Sequence, residues 1–82
     1  MNVRVFPSPV TDRLSVQLDG TEVRTVDLEI FDMLGQQVRV ESGLPSSGFT
    51  LDRGNIKAGL YTMAIRDLNG RLLYIRTIPF AP

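Results

Sequence analysis

The sequence contains no cysteine, no histidine and no tryptophan. Without cysteine there can be neither a disulfide framework nor a thiolate metal site. Without histidine the commonest metal ligand and the usual acid–base group at neutral pH are missing as well. No aspartate-rich loop has the spacing of calcium ligands. We therefore expect no metal, no cofactor and no enzymatic activity, and no residue is assigned a catalytic role.

The sequence also has no excess of charge of either sign and no long apolar run. Nine basic and nine acidic side chains balance without clustering, which argues against a nucleic-acid-binding surface. The apolar runs are too short for a membrane span, and Met1–Arg4 does not begin a secretory signal peptide. We expect the 82 residues to form one domain with a small core, and any export signal to lie outside this stretch.

The clearest pattern is a hairpin over Tyr61–Ile75, in which apolar side chains alternate with polar or small ones on either side of a turn at Asp67–Gly70. A period of two places alternate residues on one face of a sheet. A two-residue loop at Asn69-Gly70 would mix the two faces. We therefore predict the register in which Asp67 pairs with Arg71.

The same pattern occurs 35 residues earlier, over Val26–Val40, with Asp32 at the place of Asp67. We call Val26–Val40 the central hairpin and Tyr61–Ile75 the closing hairpin. At two copies, repetition of one stable hairpin design explains the likeness better than a solenoid does. In the central hairpin we expect Glu29 to lie opposite Arg39 on a solvent-exposed face.

Further alternating stretches and proline or glycine breaks bring the number of predicted strands to seven, with no helical periodicity. Pro7 and Pro9 interrupt the chain after the first strand, and Ser42–Gly48 reads as a loop. We predict an all-β, immunoglobulin-like antiparallel β-sandwich of about seven strands. The predicted strands are Val3–Val5, Leu14–Leu18, Arg24–Asp32, Gln36–Glu41, Phe49–Asp52, Leu60–Arg66 and Arg71–Ile78.

Three segments, in order, resemble the boxes of a known family. Val5–Leu14 resembles its opening box, Ile30–Val38 its central box and Ala58–Gly70 its closing box. Together they resemble the C-terminal sorting domains of the type IX secretion system of Bacteroidetes-type bacteria. The positions that carry the resemblance are Pro7, Pro9, Asp12, Leu14, Asp32, Gly35, Gly59, Tyr61, Asp67 and Gly70.

The resemblance implies a non-catalytic domain at the C-terminal end of a longer precursor, which directs its cargo through the outer membrane. It implies protein partners in the secretion machinery, namely an outer-membrane translocon, a shuttle protein and a sortase, with a contact to anionic lipopolysaccharide. It also implies passage through the periplasm to the cell surface or beyond. The tail Ile78–Pro82 lacks the lysine-rich ending common in the family. A binding or spacer module, or a retained part of the machinery, is the alternative.

The two prolines could be recognised by the translocon, although a strand-breaking corner also explains them. One other feature suggests a binding surface. In the predicted register Leu60 opposes Ile78 and Ala64 opposes Tyr74, so both faces of the closing hairpin are apolar. Either Ser42–Gly48 covers the outer face, or a partner does. The predicted face consists of Leu60, Leu72, Tyr74 and Ile78. A homodimer through the edge of this hairpin is a further expectation.

Overall fold

A computed structural model describes all residues from Met1 to Pro82 and contains seven strands and no helix. They form two antiparallel sheets, one with strand order β1-β2-β5 and the other with order β4-β3-β6-β7. The prediction of a seven-stranded all-β sandwich is confirmed. The strands are β1 (Asn2–Phe6), β2 (Arg13–Asp19), β3 (Thr25–Phe31), β4 (Gln37–Pro45), β5 (Phe49–Asp52), β6 (Gly59–Arg66) and β7 (Leu72–Phe80).

The core lies between the two sheets and follows from the alternation of apolar residues. In β2, for example, Leu14, Val16 and Leu18 are buried while their neighbours are more exposed. In β3 and β6 the same period buries Leu28 and Met63, among others. Because the buried sets of both sheets face each other, the apolar surface of each strand is removed from water, which is the main favourable term in folding.

The segment between β1 and β2 carries the chain around one end of the sandwich. Pro7 and Pro9, whose peptide bonds are both cis, interrupt the ladder, as the sequence indicates. Val10 then lies in the core and pairs with the end of β7 in a short parallel bridge. The segment between β1 and β2 thus places a buried residue, Val10, beside β7 of the four-stranded sheet.

The two hairpins of the larger sheet have the same turn. The N–H of Asp32 donates to the carbonyl of Gln36 at 2.9 Å, and that of Asp67 donates to the carbonyl of Arg71 at 3.0 Å. Gly35 and Gly70 close these turns with φ of 84° and 83°, a conformation that favours glycine. The predicted pairing of Asp67 with Arg71 is therefore confirmed.

The loop predicted at Ser42–Gly48 is only partly a loop. β4 continues through Pro45, with Leu44 opposite Val26 and Pro45 opposite Thr25. This segment lies at the opposite edge of the sheet from β7, so it does not cover the closing hairpin.

Candidate recognition surface

The face predicted on the closing hairpin is wrong, because a β-bulge changes the register just beyond the turn. Arg66 pairs with Leu72, but Ile65 pairs with Tyr74, so Leu73 has no opposing residue. One inserted residue moves every later side chain of that strand to the other face. Instead of facing Ile75, Met63 faces Arg76.

The shift moves two of the four predicted binding residues to the core side. Ile78 lies opposite Tyr61 and is only 2% exposed, and Tyr74 packs partly buried against the core. Ile75, predicted to be in the core, is 57% exposed. Leu60 and Leu72 are exposed as predicted, at 53% and 44%. The outer surface of the closing hairpin therefore has Ile75 where Tyr74 and Ile78 were expected.

The central hairpin has a bulge at the equivalent place, and it corrects a second prediction. Glu29 lies opposite Val40, and Arg39 lies opposite Ile30 on the inner side of the edge strand. Arg39 pairs with Glu41 at 2.7 Å rather than with Glu29. The charged partner of Glu29 is Arg66 on β6, at 2.6 Å between Nε and Oε1, while the other carboxylate oxygen of Glu29 accepts a hydrogen bond from Gln37 at 2.8 Å. This ion pair joins the two hairpins across the middle of the sheet.

Most of the positions that carry the family resemblance lie at one end of the sandwich. The strand β6 begins there with Gly59, and Tyr61 stacks edge-on against Phe80 at 5.0 Å between ring centroids. The hydroxyl of Tyr61 donates to the carbonyl of Lys57 at 2.8 Å. We call this region the motif end; it consists of residues 7–14, 32–36, 53–61 and 79–82.

Several residues at the motif end are held by contacts within the chain. One carboxylate oxygen of Asp32 accepts hydrogen bonds from the N–H groups of Leu34 and Gln36, both at 2.9 Å. Leu14 is buried, and the carbonyl of Asp12 accepts a bond from the N–H of Arg53 at 2.9 Å. A shallow cleft of about 500 Å³ lies between the Asp32 turn and the loop at 55–57. These residues set the shape of the end more than they offer free groups to a ligand.

Arg53 is the residue at the motif end that sequence reasoning did not single out. Its guanidinium donates to the carbonyls of Ile56 at 2.8 Å, Thr11 at 3.1 Å and Ala81 at 2.5 Å, and to Val10 at 3.3 Å. It also lies 5.4 Å from the ring centroid of Phe80. Arg53 thereby holds together the corner after β1, the loop before β6 and the end of β7.

Two of the positions that resemble the family lie elsewhere. Asp67 and Gly70 form the turn after β6, at the opposite end of that strand from Gly59. The carboxylate of Asp67 accepts bonds from the N–H groups of Asn69 and Arg71, both at 2.9 Å. The ten positions therefore do not form a single site, and their roles in recognition stay predictions.

Comparison with known proteins identifies the kind of domain. The model of the family described as "Secretion system C-terminal sorting domain" matches residues 4–78, nearly the whole chain. The chain belongs to this family. It is a sorting domain of type IX secretion, as the three boxes indicate. Such a domain is non-enzymatic in kind, interacts with secretion machinery and directs export to the cell surface or the extracellular space.

The sandwich of the sorting domain also has a counterpart among solved structures. A DUF3244 family protein with an immunoglobulin-like β-sandwich fold, from Bacteroides vulgatus, matches with a TM-score of 0.61 and 18% sequence identity. The match covers 99% of this chain and 94% of that one. This likeness confirms the immunoglobulin-like fold. The comparison with curated proteins gives no significant match. The structure contains no helix able to span a membrane.

Proposed function

We propose that the sorting domain is a non-catalytic signal at the C-terminal end of a longer precursor. It directs a cargo protein across the outer membrane through the type IX secretion system. It is read in the periplasm, and its partners are the translocon, a shuttle protein and a sortase, with anionic lipopolysaccharide as a further contact at the surface. The observation that supports this proposal most is the family match over residues 4–78.

The arrangement of the motif end supports a signal made of shape rather than of reactive groups. Hydrogen bonds to backbone groups of the same chain engage the polar atoms of Asp32, Tyr61 and Arg53. Hydrogen bonds of this kind hold the segments that they join in one arrangement. We infer that these residues act as a scaffold, which presents the neighbouring strands to the machinery in one defined form.

The test is delivery of a reporter protein that carries the 82 residues at its C-terminal end. The fusion, with a periplasmic export signal at its start, is expressed in a bacterium with an intact type IX system. We expect the reporter to become accessible to protease added outside intact cells. The controls are the reporter alone and the reporter fused to an unrelated immunoglobulin-like domain, both of which should stay protected.

Retention of the first fusion in the periplasm would overturn the proposal and favour the binding or spacer module instead. Reading the complete gene provides an independent check, because the proposal places this segment at the C-terminal end of the precursor. Accessibility of the reporter with and without the sortase gene then separates a cleaved signal from a retained part of the machinery.

A further inference from the structure

The outer edge of β7 is open over most of its length. β6 covers one edge of β7, and on the other only Val10 pairs, through bonds of 2.9 Å to the carbonyl of Pro79 and 2.8 Å from the N–H of Ala81. Backbone groups of alternate residues in a strand point to the same edge. Since those of Pro79 and Ala81 point away from β6, those of Ile75 and Thr77 do so too. Their N–H and C=O groups have no partner in the chain.

The opposite edge of the same sheet is less suited to pairing. β4 has two irregularities in register, and Gly43, with φ of 69°, gives its N–H to the carboxylate of Asp27 at 3.0 Å. Bulges and such side-chain bonds blunt an edge against further strands. β7, by contrast, pairs regularly from Tyr74 to Phe80. A regularly paired strand with unpaired backbone groups on its outer edge is therefore present as β7, and β4 offers no such edge.

An arginine without an acidic partner lies beside the open edge. Arg76 is at an inward position opposite Met63, yet it is exposed and lines an open cleft of about 440 Å³ with Val3–Phe6 of β1. Arg4 also borders this cleft, but its guanidinium lies on the outer face of β1, where it bonds to the amide oxygen of Gln17 at 2.6 Å and lies 5.8 Å from the ring centroid of Phe6. Arg76 forms no ion pair, whereas the inward Arg39 of β4 is paired with Glu41. Uncompensated positive charge in a cleft attracts anionic groups.

We propose that the open edge of β7 binds an extended acidic segment of a secretion-machinery protein by strand addition. Backbone bonds to Ile75 and Thr77 would hold the added strand, and its inward side chains would face Arg76. Its outward side chains would lie beside the exposed Ile75. The edge therefore selects a segment in which carboxylates alternate with apolar residues. This inference rests on the proposed function, because it names the kind of partner that reads the sorting domain.

The same arginine disfavours a second copy of the domain as the occupant. β7 contains no acidic residue, so pairing two β7 edges would bring two Arg76 side chains together without a carboxylate. Like charges in such a position discriminate against the wrong partner. The charge thus admits an acidic strand and opposes the homodimer expected from the sequence.

The first test uses short capped peptides added to the 82-residue chain, with amide hydrogen exchange followed by NMR. One peptide alternates glutamate with valine, and its control alternates lysine with valine. When the glutamate peptide is about nine-tenths bound, exchange at Ile75 and Thr77 should slow about tenfold, because only the free fraction exchanges. The lysine peptide should leave both amides unchanged.

Two variants separate the backbone edge from the charge. Thr77→Pro removes one outward N–H, and Pro79 shows that this edge accepts proline at an outward position. It should abolish protection by the glutamate peptide. Arg76→Glu should switch the preference to the lysine peptide. Arg24→Glu makes the same charge change at an exposed site outside the cleft and should alter neither result. Circular dichroism checks that each variant is folded.

Several outcomes would overturn the inference. These are no protection by the glutamate peptide, protection that survives Thr77→Pro, or concentration-dependent protection without peptide, which would indicate a second copy. Lipopolysaccharide that shifts the signals of the cleft, with no peptide effect at Ile75 and Thr77, would assign the cleft to an anionic lipid instead. In the reporter assay, normal export of the Thr77→Pro and Arg76→Glu fusions would contradict this inference but leave the proposed function intact. Failure of the unmodified fusion to reach the surface would contradict the proposed function.

Discussion

The central and closing hairpins share one local design but contribute differently to the core. Both have the same turn and a bulge at the same place. Ala64 is the residue of the closing hairpin that corresponds to Glu29 of the central hairpin, and these two residues lie opposite each other in the sheet. An approximate local twofold axis therefore passes between these two residues. Yet the edge strand of the closing hairpin buries Ile78 and Phe80, while that of the central hairpin buries no residue fully.

The difference follows from the residues at equivalent inward positions. Beyond the bulge, β4 has Arg39 and Glu41, which pair with each other, where β7 has Tyr74 and Arg76. A charged pair on an edge strand can remain partly solvated, whereas an aromatic side chain gains by burial. The edge strand of the central hairpin, β4, is therefore solvated. The edge strand of the closing hairpin, β7, contributes to the core and has an open outer edge.

The comparison depends most on the assignment of Ile78 to the core and of Ile75 to the surface. Replacing Ile78, which is 2% exposed, by alanine removes buried methyl groups and leaves a cavity. We expect the free energy of unfolding to fall by about 2–5 kcal/mol. Urea denaturation followed by circular dichroism measures it.

Ile75→Ala is the matched control, since Ile75 is 57% exposed on the same strand. It should change the free energy of unfolding by no more than about 0.5 kcal/mol. Equal losses at the two positions, or a larger loss at Ile75, would contradict the bulge and support the register predicted from the sequence.

The strands and turns could be predicted from the sequence because their signals are local. The Asp-x-x-Gly turns specify their own hydrogen bonds, as at Asp32 and Asp67, and alternation marks the core of β2 and β3. The bulge in β7 could not be predicted, because Leu72-Leu73 is apolar at both positions and gives no sign of which residue is unpaired. That single uncertainty reversed the faces assigned to Tyr74 and Ile78.

The second-largest effect is expected where the motif end holds β7. Arg53→Met keeps much of the apolar stem but loses the bonds to the carbonyls of Thr11, Ile56 and Ala81. We expect a loss of about 2 kcal/mol in the free energy of unfolding, since bonds to a charged donor are among the stronger ones. Hydrogen exchange at the amide of Ala81 should also accelerate, because its bond to Val10 depends on the same contact.

Arg13→Met serves as the control for Arg53. The ion pair of Arg13 with Asp52 is largely exposed, with side-chain accessibilities of 73% and 83%. Such pairs contribute little to stability. An unchanged exchange rate at Ala81 in Arg53→Met would show that the end of β7 is held by its backbone bonds alone.

Arg53 also shows why the motif end was less predictable than the fold. Its partners are backbone carbonyls far away in the sequence, such as Thr11 and Ala81. A carbonyl is present at every residue, so no pattern of residue types marks the site. The positions that carry the family resemblance identify the segments that meet there, but only the three-dimensional arrangement shows which residue joins them.

The shared turn design predicts matching and smaller losses in the two hairpins. Asp32→Ala and Asp67→Ala each remove a carboxylate that accepts two backbone bonds. Each should lower the free energy of unfolding by about 1–2 kcal/mol. Asparagine at either position keeps an acceptor oxygen and should cost less. Losses that differ by more than about 1 kcal/mol between the hairpins would show that the turns are not energetically equivalent.

The smallest effect concerns the ion pair that joins the hairpins. Glu29 contacts Arg66 at 2.6 Å, and their side chains are 19% and 38% exposed. In a double-mutant cycle with Glu29→Gln and Arg66→Met, we expect a coupling of about 0.5–1 kcal/mol, near the upper end for partly solvated pairs. The parallel cycle of Glu29 with Arg39 should give none, because the bulge turns Arg39 to the inner side of β4. Coupling to Arg39 without coupling to Arg66 would mean that Glu29 stabilises its own hairpin and not the contact between the two.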